Sequence, residues 1–191
     1  MKSNITKYHI LILLANIIYL LISLFVFLNR SNHEFLLYIG VVVFFVLFIS
    51  LLHLKFNFSY GVLIGLSIWG LLHMLGGLII FDGLRLYGHY FYFLRYDQII
   101  HLFGFGFATL FGYYLLKPSL SKKPNWFVLS ILLILVGIGL GGLNEIIEFI
   151  IVLAVPETGI GGYENTMWDM VFNLIGAGLA VIWINLRRIK E

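Results

Sequence analysis

Residues 126–154 read WFVLSILLILVGIGLGGLNEIIEFIIVLA. This apolar run is longer than the roughly 20 residues a helix needs to cross a hydrocarbon layer about 30 Å thick. Its only ionisable side chains are Glu145 and Glu148. The whole chain has the same character: 61% of its 191 residues are hydrophobic and 11% charged, too apolar for a domain that must carry a polar surface into water. Further apolar runs cover residues 8–28, 35–54, 58–81, 96–116 and 167–186, with polar breakers between them. The sequence therefore predicts an all-α, polytopic membrane bundle of six transmembrane helices in a single membrane domain spanning 1–191. Residues 1–56 would form two peripheral helices, and 57–191 a four-helix core. The first run follows Lys2 and Lys7 as a signal peptide would, but it lacks a small-residue cleavage site, so a retained helix is expected.

Charge sets the expected orientation. Six spans put Lys2, Lys7, Lys55, Lys117, Lys122, Lys123, Arg187, Arg188 and Lys190 on one side, nine of the twelve basic residues. That side should be cytoplasmic, with both termini inside. Arg30, Arg85 and Arg95 remain for the other side, where residues 82–95 are rich in Tyr and Phe and suit the headgroup layer. Basic residues gathered at helix ends report topology, not a nucleic-acid partner; membrane lipids are the expected surroundings. With no cysteine in the chain, disulfides and thiolate metal sites are excluded.

Compared with itself at an offset of 72 residues, the chain aligns Tyr96-Asp97-x-x-x-His101-Leu102-x-Gly104-x-Gly106 with Trp168-Asp169-x-x-x-Asn173-Leu174-x-Gly176-x-Gly178. His73 falls opposite Glu145, and Gly65 and Gly70 fall on Gly137 and Gly142. Helices three and four thus read as a parallel repeat of helices five and six.

An ionisable residue inside a bilayer is costly unless paired or wet, so each one within a span is a functional candidate. At 1.5 Å per residue, Asp97 and Asp169 begin their helices at the outer boundary, and His101 and Asn173 follow one turn lower. Helices three and five run the opposite way and return His73, Asn144, Glu145 and Glu148 to that layer. The expected result is an outer-leaflet pocket of carboxylates and histidines. Asp97, His101, Glu145, Glu148 and Asp169 would carry catalysis, and His73, Asn144 and Asn173 would serve binding. His101, Glu145, Glu148 and Asp169 also make a donor set for a divalent metal ion, the acids favouring Mg²⁺ or Mn²⁺ and the imidazole Zn²⁺ or Fe²⁺. Glu145 and Glu148 lie within one turn and repel, so one holds a proton unless a cation is near. Structural roles compete with these: Thr166-Met167-Trp168-Asp169 reads as a capping box at the start of helix six, and Asp97 suits the positive first turn of helix four.

The motifs Tyr96-Asp97-x-x-x-His101, Glu145-x-x-Glu148 and Trp168-Asp169-Met170 with Gly176-Ala177 resemble those of the YjdF-like family of uncharacterised bacterial inner-membrane proteins. More distantly they are similar to the VanZ-like proteins associated with glycopeptide resistance. The YjdF-like pattern has Gln-Gly-Asp before the last helix, where this chain reads Gly162-Tyr163-Glu164-Asn165; VanZ-like proteins follow the first Asp with Lys, where it has Gln98. The resemblance implies a multi-helix protein of the bacterial cell envelope and brings no reaction with it.

Three functions fit the sequence: an enzyme acting on a lipid headgroup or lipid-linked envelope substrate, a proton-coupled transporter, and a non-catalytic structural membrane protein. Ionisable residues are nearly absent from the inner halves of helices three to six, which favours the first over the second.

Overall fold

The computed structural model describes residues 5–188 and contains six long helices: α1 (Lys7–Asn29), α2 (His33–Phe56), α3 (Tyr60–Leu78), α4 (Tyr96–Leu116), α5 (Trp126–Ala154) and α6 (Tyr163–Arg188). All six are long and apolar enough to cross a membrane, as the sequence predicts. Lys2 and Lys190, used above in the charge count, lie outside the described residues. Phe25, Leu51, Phe127 and Leu153 stand largely exposed on the helix surfaces. In water such surfaces would forfeit the hydrophobic free energy that burial provides; in lipid they cost nothing.

Side chains at the breakers stop and start the helices. Asn32 accepts a hydrogen bond from the Phe35 amide at the start of α2, and Ser59 does the same for Val62 in α3. Asn125 caps α5 by accepting from both Phe127 and Val128. Asn57 ends α2 in the left-handed region, at φ 52°.

Between α3 and α4 the chain forms two small antiparallel hairpins. β1 (Ile80–Phe81) pairs with β2 (Leu84–Arg85), and β3 (Tyr90–Phe91) with β4 (Leu94–Arg95). The first turn places Asp82 and Gly83 at φ 49° and 78°, the pair of positive angles that Asp-Gly adopts readily. The second puts Tyr92 at φ 58°, with its side chain fully exposed beside the exposed Phe93.

The helices divide into two compact units. One comprises the chain up to Tyr96 together with Phe149–Ile160; the other comprises Asp97–Glu148 and the chain from Gly161 onward. In the first unit α1 packs against α2 and α3. Its core includes Phe27, Phe35 and Met74, with the rings of Phe27 and Phe35 5.0 Å apart. A polar seam lies midway along α1, where Asn16 donates to Ser67 Oγ at 2.8 Å and the Tyr19 hydroxyl donates to Asn16 Oδ1 at 2.9 Å.

The second unit is a three-helix arrangement of α4, α5 and α6. α6 runs alongside α4 in the same direction, since Asn173 meets His101 and a Cβ built on Gly176 would strike the carbonyl oxygen of Leu102. α5 runs opposite: Glu145 lies near His101, whereas Gly137 faces Thr109 and Ala177. Glycines at Gly106, Gly137, Gly141 and Gly176 allow these close approaches; Gly139, Gly142 and Gly178 have open space beside them. An apolar cluster of Leu129, Leu133, Val181 and Ile184 closes the opposite end of the unit.

Candidate functional site: a buried carboxylate and histidine cluster

The second unit gathers its polar chemistry where α4 and α6 begin and α5 nears its end. Asp97 is in the first turn of α4 and His101 one turn further, on the same face. Their side chains lie 3.5 Å apart, from Asp97 Oδ1 to His101 Nε2. On its other side the imidazole meets α6 and α5: Nδ1 is 3.0 Å from Asn173 Oδ1 and 3.8 Å from Glu145 Oε1. Asn144 donates to Glu148 Oε1 at 2.9 Å. Asp97, His101, Glu148, Asp169 and Asn173 are all buried.

α6 supplies the link between the two aspartates. Asn165 Nδ2 donates to Asp169 Oδ2 at 2.5 Å and to Asp97 Oδ2 at 3.2 Å, so one amide gathers both carboxylates. This corrects the capping-box reading. α6 starts at Tyr163, and the Thr166 amide already bonds the Gly162 carbonyl, so Thr166 and Asp169 lie inside the helix. The helix extends to include Asn165, whose side chain the two acids require.

Two sets of potential metal donors result, Asp97–His101–Asp169 and His101–Glu145–Glu148, each with ligand atoms within 4.8 Å of one another. They share the imidazole. The lysines and arginines among the described residues of this unit are Lys117, Lys122, Lys123, Arg187 and Arg188, all at the ends of α4 and α6 remote from Asp97 and Asp169 or in the loop before α5. Four acids thus surround one histidine, and the described lysines and arginines of this unit stand away from them. Glu145 is the least satisfied: both carboxylate oxygens are shut off from solvent and no hydrogen bond of good geometry reaches them among the described residues, Asn144 and Thr166 being side-chain partners of poorer geometry.

His73 belongs to the first unit. There its Nδ1 hydrogen-bonds the Tyr87 hydroxyl, and its ring meets Tyr38 edge-on at 4.5 Å.

Two polar residues carry weight that the sequence did not announce. Asn165 is one; its position four residues before Asp169 on the same helical face was the available signal. The other is Glu34 in the first unit, buried at the start of α2, where it pairs with Arg85 and accepts the Gly159 amide at 2.8 Å. An acid beside a polar breaker gives no sign of such partners.

Six helices long and apolar enough to cross a membrane, with a buried polar cluster in the unit formed by α4, α5 and α6, define a multi-pass helical membrane protein. Residues 9–190 match the predicted membrane protein family DUF2238, and the chain belongs to that family. No curated protein and no solved structure matches it.

Proposed function

We propose that the protein is an enzyme of the bacterial cytoplasmic membrane, with both termini in the cytoplasm, acting at the outer leaflet on a lipid headgroup or lipid-linked envelope precursor. Glu145 and Glu148 exchange protons with the substrate, while Asp97, His101 and Asp169 orient it and Asn144 and Asn173 hold their neighbours in place. The observation that carries this reading is Glu145. A carboxyl closed off from solvent without a well-formed hydrogen bond costs stability, and such groups persist where chemistry uses them. The site's depth agrees with a headgroup substrate, since His101 lies only about 7.5 Å along its helix from the first residue. The bias of basic residues supports the outer placement.

Lipid mass spectrometry of cells producing the wild type, Glu145→Gln or Glu148→Gln tests this. The wild type should alter one lipid or lipid-linked species, and both variants should lose the effect while folding at least as stably. Variants that unfold would reassign the cluster to packing and end the proposal.

A proton-coupled carrier is the second reading, favoured by the Asn16–Ser67–Tyr19 seam midway along α1. A pH-driven flux in proteoliposomes that disappears in Asn16→Leu would support it.

A further inference from the structure

We propose that Asp97, His101 and Asp169 bind one divalent cation of the Mn²⁺ type. The use of that ion rests on the acid–base reading above; its binding follows from the donors alone.

The imidazole is set up as a ligand. Nδ1 faces the side-chain oxygen of Asn173 at 3.0 Å, while Asn173 Nδ2 turns to Met170 Sδ at 3.7 Å. An amide oxygen only accepts, so the ring proton sits on Nδ1 and the lone pair is left on Nε2. Nε2 is the nitrogen facing Asp97 Oδ1 at 3.5 Å. Metal-binding histidines are held this way, with the far N–H donated to a carbonyl or carboxylate that fixes the ring.

The acids are set up as well. Asn165 occupies Oδ2 of both Asp97 and Asp169, which draws together two groups that repel when ionised and restrains their rotation. The three ligand atoms lie within 4.8 Å of one another and all three residues are buried. A first-row ion with bonds of about 2.1 Å holds neighbouring ligand atoms roughly 3 Å apart, so binding draws the three groups inward.

An independent observation points to a bound cation. The Glu145 side chain is only 9% exposed, faces the same imidazole at 3.8 Å, and neither of its oxygens has a well-formed hydrogen bond among the described residues. With Glu148 it brings the acids around His101 to four. A divalent ion offsets the repulsion among those acids. Two carboxylates and one imidazole, with no cysteine in the chain, form an oxygen-rich set with a single nitrogen. That set suits Mn²⁺ better than Zn²⁺, which collects more nitrogen and sulfur, or Ca²⁺, which prefers oxygen alone. An ion here would polarise a phosphoryl oxygen beside Glu145 and Glu148.

The test uses the full chain in lipid nanodiscs, stripped with chelator and titrated with MnCl₂ under electron paramagnetic resonance, with metal content read by mass spectrometry. One Mn²⁺ per chain is expected, together with a rise in unfolding temperature on adding it. Asp97→Asn and Asp169→Asn should abolish both. Asn165→Ala keeps every ligand and should weaken binding by about 10- to 100-fold, which maintains the test if a ligand variant fails to fold. Wild-type protein that binds no Mn²⁺, Zn²⁺ or Mg²⁺ at millimolar concentration overturns the proposal, as does unchanged Mn²⁺ affinity in folded Asp97→Asn and Asp169→Asn. Stoichiometric Mn²⁺ binding without any lipid turnover upholds the metal site and removes the acid–base reading. Turnover by metal-free protein leaves that reading in place and removes the ion from it.

Discussion

His101 and Asn173 are 72 residues apart in the chain and 3.0 Å apart in the structure, the imidazole Nδ1 against the amide oxygen. The two similar stretches, one on α4 and one on α6, thus meet at the position where one carries an imidazole and the other an amide. An amide opposite a histidine leaves one ring nitrogen committed and the other available, which two histidines or two asparagines at that position would not do as simply.

Removing that amide should therefore be felt in two ways. Asn173→Ala leaves the buried imidazole N–H of His101 without its acceptor, and should lower stability by about 1–3 kcal/mol. It should also free the ring to rotate, reducing Mn²⁺ affinity although no ligand has changed. Thermal unfolding and metal titration of the same sample check both effects. A loss of stability with unaltered metal binding would mean that Asn173 only packs.

The glycines on α6 should divide sharply. A Cβ at Gly176 would collide with the Leu102 carbonyl oxygen and crowd the Gly106 amide, backbone atoms that cannot swing aside, so α4 and α6 must separate to admit it. Gly176→Ala should cost about 1–3 kcal/mol and disturb the register of His101 with Asn173. Gly178→Ala meets nothing within 4 Å and should leave stability unchanged or raise it by up to about 1 kcal/mol through helix propensity. Melting curves in one detergent compare the two directly.

The contrast also marks how far the sequence could be read. Apolar runs and breakers announce six helices, because length and hydropathy suffice to specify a membrane span. Asp97, His101, Glu145, Glu148 and Asp169 stand out because a charge inside a hydrocarbon layer needs a reason. Gly176 and Gly178 look alike in the motif, since only the neighbouring helix distinguishes them. Asn165 was hidden by the capping-box pattern that follows it. The strands of the hairpins are two residues long, too short for alternation to register, and only Asp82-Gly83 carries a turn signal. Glu34 was beyond reach because its partners, Arg85 and Gly159, lie 51 and 125 residues away.

Glu34 gives the third expectation. Its carboxylate joins the start of α2 to the first hairpin through Arg85, and to the α5–α6 connection through the Gly159 amide. Glu34→Ala deprives both donors at once and should destabilise the first unit by about 1.5–3 kcal/mol, less than a fully buried pair would lose because Arg85 is partly exposed. Glu34→Gln keeps an acceptor for Gly159 and should recover part of the loss. Limited proteolysis at the α5–α6 connection should accelerate in Glu34→Ala and stay near the wild-type rate in Glu34→Gln.

Orientation is open to a direct measurement, because the chain contains no cysteine and any introduced thiol is unique. Tyr92 is fully exposed at the tip of the second hairpin, and Lys122 is exposed in the connection between α4 and α5. Basic residues are retained on the cytoplasmic side during insertion, and Lys117, Lys122 and Lys123 lie in one short loop, whereas the hairpin segment has only Arg85 and Arg95 amid its aromatic residues. A membrane-impermeant maleimide added to intact cells should therefore label Tyr92→Cys at once, and Lys122→Cys only after the membrane is opened. In the proposed orientation Tyr92 and Phe93 would lie in the outer headgroup layer, so an environment-sensitive fluorophore on Tyr92→Cys should report a medium less polar than water. Labelling in the reverse order would put the acids at the cytoplasmic face, and the substrate would then have to be sought among inner-leaflet lipids.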